Sequence, residues 1–158
     1  MSKILITICA RGGSVGIPKK NIKDVSSLPL IAYSIKTAQA YAVKHHADIA
    51  LSTENQEILN VAKKYGLNTQ YQRPKLLAGS EIGKMKVLED LLLYEERKSG
   101  HRYDYLIDLD VTSPLRSLLD IEKALEILMN SDAYNIFSVS KASRNPYFNM
   151  VEKKKNKE

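Results

Sequence analysis

Two hydrophobic periods alternate along the chain. Ile4 to Cys9 is an apolar, β-branched run that reads as a buried strand, and it stops at Ala10-Arg11-Gly12-Gly13-Ser14, where glycines begin. From about Leu30 to Lys44 the spacing lengthens to that of a helix, with Ile31, Ser34, Ile35, Ala38 and Ala42 on one face. Ala47 to Ser52 reads as a short strand. Asn55 is suited to cap a helix carrying Ile58, Leu59 and Ala62, and Gly66 is a natural stop. Leu67 to Gln72 reads as a third strand, ended by Arg73-Pro74 because proline removes a donor and restricts its predecessor. A longer helix spans about Ile82 to Lys98, with Met85, Leu88 and Leu92 in register beside Val87 and Leu91, and Gly100 ends it. Tyr103 to Leu109 is the fourth strand. Ser117 caps a helix striped by Leu118, Ile121, Leu125 and Leu128, and Asn135 to Ser140 is a further strand. The order predicts an α/β protein of three αβα layers, with a mostly parallel, Rossmann-like sheet.

The first strand therefore delivers a glycine-rich loop. Gly12, Gly13 and Gly16 are expected to allow positive φ and close backbone approach, so that amides converge on an anion. Arg11, Lys19 and Lys20 add positive charge of the kind that holds a polyphosphate. The order Gly-Gly-Ser-Val-Gly-Ile-Pro-Lys-Lys from Gly12 is neither GxGxxG nor GxxxxGK[ST], which disfavours a dehydrogenase or a Walker-type kinase. Further along, Asp108 and Asp110 stand two apart at the end of a strand. They share a face there, where open α/β sheets place ligands, and their hard oxygens suit Mg²⁺. A structural role for Asp108 near a turn is equally open.

Composition narrows the class. At 158 residues, 44% hydrophobic and 27% charged, the chain is an ordinary globular domain, and no apolar run approaches the length of a membrane span. A strand follows the first lysine where a signal peptide would have its apolar core, which points to the cytoplasm. Cys9 is the single cysteine, so no internal disulfide can form, and its place in a strand favours a small apolar role over a reactive thiol. Of the net charge of +6, four lysines and two glutamates between Val151 and Glu158 supply two, leaving a modest +4. Arginines interleaved with aromatics, the mark of single-strand binders, are missing. A bias toward an anionic small substrate accounts for the charge without nucleic acid. His45 and His46 end a helix as adjacent residues and do not share a face, which argues against a metal site.

Several separated motifs together resemble one family. Arg11, Ser14, Lys20 and Asn21 stand where the acylneuraminate cytidylyltransferases, the CMP-sialic acid synthetase family, carry their arginine, serine-lysine and lysine-asparagine signature, although Val15 replaces a lysine. Leu51 to Glu54 with Ala62 to Gly66, Gln72 to Ala78, and Thr112-Ser-Pro-Leu-Arg116 are similar to later family segments, as is Asn145 to Glu152. Glu54 and Ser80 stand where aspartates are usual, with Glu81 beside the latter. Asp110 stands where a sugar-facing glutamine is common, and Val111 replaces a proline.

The resemblance implies a fold of the nucleotide-diphospho-sugar transferase type. It also implies an enzyme that moves CMP from CTP to a nine-carbon α-keto acid sugar and releases pyrophosphate with Mg²⁺. On it, Ala10, Arg11, Gly12, Gly13, Ser14, Lys20 and Asn21 would hold the nucleotide and Arg73 the cytosine. Asp110, Thr112, Ser113 and Arg116 would face the sugar, and Asp110, or less directly Asp108, would hold the metal; Arg11, Lys20 and Asp110 would be catalytic. For Arg73 and Arg116, ordinary capping or salt-bridging roles remain open on the residues alone. The match implies a cytidylyltransferase domain over 1–152, a lysine-rich tail over 153–158, and a homodimer in the full-length enzyme. It covers the N-terminal two-thirds of such enzymes, which keeps a truncated or non-catalytic CTP-binding module in view beside the enzyme. A basic nucleic-acid-binding domain is the third reading.

Overall fold

A computed structural model describes residues 2–14 and 16–141. Val15, the segment Asn145 to Glu152 and the lysine-rich tail lie outside the described residues. The chain divides into two compact units, one over residues 1–120 and a second from residue 121 onward.

In the first unit, β1 (Ile4–Cys9) is the centre of a parallel sheet. A short 3₁₀ turn (Lys20–Ile22) follows the glycine loop. Next come a two-stranded hairpin of β2 (Asp24–Val25) and β3 (Leu28–Pro29), then α1 (Leu30–His45), β4 (Asp48–Ser52) and α2 (Gln56–Lys64). After a second 3₁₀ turn (Lys75–Leu77) come α3 (Lys84–Ser99) and β5 (Tyr105–Asp108). The sheet order is β4-β1-β5, with Leu5 beside Asp48 on one edge and Leu106 on the other. Every residue from Ile4 to Ile8 is buried, as a central parallel strand covered on both faces must be. One face of β1 packs Leu5, Ala50, Tyr71 and Leu91 into a cluster against α3. The other carries Ile4, Ile6 and Ile8, and α1 also lies on β1 and β4.

The predicted helices form close to their expected bounds for the expected local reasons. Asn55 accepts the Ile58 amide at 3.1 Å, and Gly66 and Gly100 take positive φ of 81° and 73° after α2 and α3. On α3 the buried line is Val87, Leu88 and Leu91, continued by Glu95, while Met85 is exposed. The α4 helix (Leu118–Met129) starts at a reciprocal cap between Ser117 and Asp120, and along its stripe Ile121 is buried while Leu118, Leu125 and Leu128 are half-buried.

Two predicted strands do not form. From Leu67 to Gln72 the chain is irregular: Leu67 and Tyr71 are buried, but the Tyr71 amide bonds to the Thr69 hydroxyl rather than to a neighbouring strand. Among the described residues, Arg73 N–H to Thr53 C=O is a single backbone link to the segment after β4. Asn135 to Ser140 is exposed and unpaired, with Phe137 and Val139 well exposed, so among the described residues the parallel sheet has three strands. The β2–β3 hairpin, unforeseen in the sequence, turns through Ser26 and Ser27, both at positive φ.

Candidate active site

The C-terminal ends of β1, β4 and β5 open together, since parallel strands end on one edge, and a cleft of about 620 Å³ lies there. Arg11, Ser14, Lys20, Asn21, Arg73, Asp110 and Thr112 line it, together with Cys9, Lys84 and apolar side chains of the segment after Arg73. Residues up to about a hundred positions apart thus meet at this edge: Cys9 ends a strand of the sheet and Arg11 and Asp110 follow strands, while Arg73 comes from the irregular segment after α2 and Lys84 from the first turn of α3. Arg11, Lys20, Arg73 and Lys84 against Asp110 leave the lining cationic.

Three amides of the described part of the glycine loop already have partners within the protein. The Gly12 amide donates to Glu54 Oε1 at 2.6 Å, the Ser14 amide to the Gly12 carbonyl at 3.0 Å and the Ala10 amide to Ser52 at 3.0 Å. None of Gly12, Gly13 and Gly16 has positive φ, contrary to expectation. Gly12 is needed for another reason: a Cβ there would stand 2.5 Å from Asn55 Nδ2 and 2.9 Å from Asn55 Cβ, the residue that caps α2. Positive charge reaches the cleft through the Arg11 and Lys20 side chains instead. Buried Asn21 braces the loop by donating to the Arg11 carbonyl at 2.9 Å, and Lys19 turns aside to pair with Glu57 at 2.7 Å. Ala10, Gly12 and Gly13 shape the loop without lining the cleft.

Arg73 is only 6% exposed, so a solvated role is excluded. Its Nε donates to Ser52 Oγ at 2.9 Å and one terminal nitrogen to the Ser52 carbonyl at 2.7 Å, while the other faces Glu54 Oε2 at 3.7 Å. Glu54 therefore ties the loop at Gly12 to Arg73. The sequence marked it as a departure, and the structure gives it a positioning role.

The turn after β5 is held from within. Both the amide and the hydroxyl of Thr112 donate to Asp110 Oδ1, at 2.8 and 2.7 Å. Arg116 donates to the carbonyls of Asp110 and Ser113, and so fastens the turn rather than lining the cleft. Ser113 contributes its backbone to the same turn and is likewise absent from the lining. Lys84, at the start of α3, pairs with Asp108 Oδ2 and, at 3.2 Å, with Asp110 Oδ2. Burial by itself would raise the Asp110 carboxyl, but the Thr112 bonds and Lys84 outweigh it and hold it down at about 2. Burial would lower Lys84, and its pairing with Asp108 and Asp110 reverses that direction. Burial lowers Arg116, opposed by the two aspartates, and pushes the Cys9 thiol up to about 11, which makes it a poor nucleophile.

The two aspartates do not fit a resident magnesium ion as they stand. Asp108 Oδ1 accepts from the buried Thr7 hydroxyl at 3.1 Å, Asp110 Oδ1 from Thr112, and both Oδ2 atoms face the Lys84 ammonium. Among the described residues, no group of three or more His, Cys, Asp or Glu side chains is placed to hold a metal ion. Sequence reasoning passed over Lys84 itself. Its signal was a cation in the first turn of a helix, where the dipole disfavours one by about 0.3–1 kcal/mol unless acids compensate.

A family model described as cytidylyltransferase matches residues 5–156. The chain belongs to this family. It is 45% identical over 157 residues to CMP-N,N'-diacetyllegionaminic acid synthase of Campylobacter jejuni, covering 99% of this chain and 66% of that protein. It is 43% identical over 152 residues to post-translational flagellin modification protein B of Campylobacter coli, covering 96% and 64% respectively. The chain thus spans just under two thirds of the length of these relatives. Among solved structures, a CMP:2-keto-3-deoxy-manno-octonic acid synthetase complexed with CTP aligns with a TM-score of 0.61 at 22% identity, over 84% of this chain and 49% of that one. This likeness shows the cytidylyltransferase fold, Rossmann-like and α/β. Among the described residues, no helix is long and apolar enough to cross a membrane.

Proposed function

We propose that this chain carries the nucleotide half of a reaction in which CMP passes from CTP to a nine-carbon α-keto acid sugar. The observation that carries this reading is the cleft at the sheet edge, where Arg11 and Lys20 stand beside buried Arg73 with no competing acid other than Asp110 in the lining. The sugar's anomeric hydroxyl oxygen bonds to the α-phosphorus and gives up its proton to solvent water, the bond from that phosphorus to the bridging oxygen of the β-phosphate breaks, and pyrophosphate leaves with that electron pair. Arg11 and Lys20 neutralise the phosphate charge as it shifts toward the leaving group. Ser14 offers a hydroxyl to the same anion. Arg73, fixed by Ser52 and Glu54, presents an edge to the base, and Thr112 lies on the acceptor side with Asp110. The names of the relatives support an acceptor of the legionaminate, pseudaminate or neuraminate kind, with N,N'-diacetyllegionaminate the first to try. Magnesium, in this reading, comes on the triphosphate rather than on Asp108 and Asp110.

Calorimetric titration with CTP, paired with pyrophosphate release on a panel of these sugars, tests the reading. CTP binding that Lys20→Ala weakens by roughly 10–100-fold, the loss of one or two charge-assisted bonds, supports it. Release with one sugar extends it to the full reaction. Absence of CTP binding at millimolar nucleotide refutes it.

A further inference from the structure

We propose that Lys84 is the resident cation of the Asp108–Asp110 pair and keeps divalent metal off it in the nucleotide-free protein. The argument begins with the four carboxylate oxygens. Thr7 takes one, Thr112 a second through both hydroxyl and amide, and the Lys84 ammonium spans the remaining two. Thr7 is fully buried in β1, and β5 is paired with β1 in register Thr7 to Asp108, so turning the inner carboxylate away would leave the buried Thr7 hydroxyl without its acceptor. Asp110 is fixed in turn by its own bonds to Thr112 and by Arg116 on its carbonyl. What can move is Lys84, on a four-carbon stem at the first turn of α3, with its side chain 39% exposed.

A divalent ion reaching the Oδ2 atoms would enter the volume that the ammonium fills, and the two cations repel at such distances. Mg²⁺ in particular demands near-octahedral oxygen geometry at about 2.0–2.1 Å and gives up its waters reluctantly. An aspartate pair that already has a lysine between its free oxygens offers neither the geometry nor the charge. Lys84 also lines the cleft, so the arrangement places a positive charge there without a metal cofactor. The inference rests on this side-chain geometry and holds whichever nucleotide or sugar the cleft takes.

Mn²⁺ alone, titrated into the full chain without nucleotide and followed by its free EPR signal, provides the test. Wild type and Lys84→Arg should show no binding that depends on Asp110, whereas Lys84→Met, which keeps the stem and removes the charge, should bind one equivalent at least tenfold more tightly. Adding Asp110→Asn to Lys84→Met should abolish that site. A wild-type site lost on Asp110→Asn would overturn the proposal, as would a folded Lys84→Met protein that binds no Mn²⁺. Should Lys84→Met fail to fold by circular dichroism, the wild type decides. Sharp amide signals of Asp110 and Thr112 in millimolar Mn²⁺ support the proposal, and their selective paramagnetic broadening refutes it.

Discussion

Arg73 is a buried guanidinium whose partners are all local to the end of β4: Ser52 through hydroxyl and carbonyl, and Glu54 at 3.7 Å. Removing it strands buried acceptors, and the cost of an unpaired buried charge exceeds the net worth of the pair. Arg73→Met should therefore destabilise the protein by about 3 kcal/mol in urea unfolding, and adding Glu54→Gln should recover part of the loss. Full additivity of the two substitutions would show that they do not interact. Gly12 makes a second prediction at this scale. Its missing side chain leaves room for Asn55, so Gly12→Ala should cost about 1–3 kcal/mol by overpacking, although its backbone would accept alanine. Gly13→Ala, with nothing near its Cβ position, is the matched control and should be close to neutral. Asp110 makes a third. Its folded carboxyl lies at about 2 against an ordinary value of about 3.9, so its contribution to stability is fully present above about pH 4 and is lost as pH falls toward 2. The slope of stability between pH 4 and 2 should thus be shallower in Asp110→Asn than in wild type; equal slopes would mean that Thr112 and Lys84 do not hold the charge. None of these three contacts was visible in the sequence. Glycine in a loop suggests positive φ, and only the fold shows that Gly12 yields space to a cap 43 positions away.

At the scale of elements, the sequence patterns that were self-contained translated directly. The run Ile4 to Cys9 became the central strand because continuous apolar character suits burial on both faces. Asn55, Gly66, Gly100 and Ser117 ended or began helices through bonds and dihedrals that involve only near neighbours. Leu67 to Gln72 and Asn135 to Ser140 failed for a shared physical reason. Alternation reports which side chains prefer burial, but a strand also needs an edge with free N–H and C=O groups in register. The first segment buries Leu67 and Tyr71 while spending the Tyr71 amide on Thr69, and the second has neither burial nor a partner among the described residues. The Thr112 to Arg116 segment shows the converse. The family resemblance implied sugar contacts there, and in the fold Ser113 and Arg116 also build the turn that presents Asp110 and Thr112.

For the whole molecule, the decisive question is what the positive charge serves. A net charge of +6 spread at random would attract any polyanion, and a nucleic-acid reading would follow from it. The fold instead gathers Arg11, Lys20, Arg73 and Lys84 around one concave site at the sheet edge, and neutralises Lys19 with Glu57 outside it. Low-dielectric walls focus such a charge on a compact anion more than on an extended strand. The expected outcome is saturable CTP binding with one site per chain. Affinity should fall on the order of tenfold between 50 and 500 mM salt, because the exposed part of the field is screened over about a Debye length. Buried Arg73 should be screened least, so Arg73→Met should weaken CTP binding about equally at both salt concentrations, whereas the loss from Lys20→Ala should shrink at high salt. A single-stranded oligonucleotide in excess should leave the CTP titration unchanged in calorimetry. Displacement of CTP by the oligonucleotide would assign the charge to an extended polyanion and remove the reason for treating the cleft as a nucleotide site.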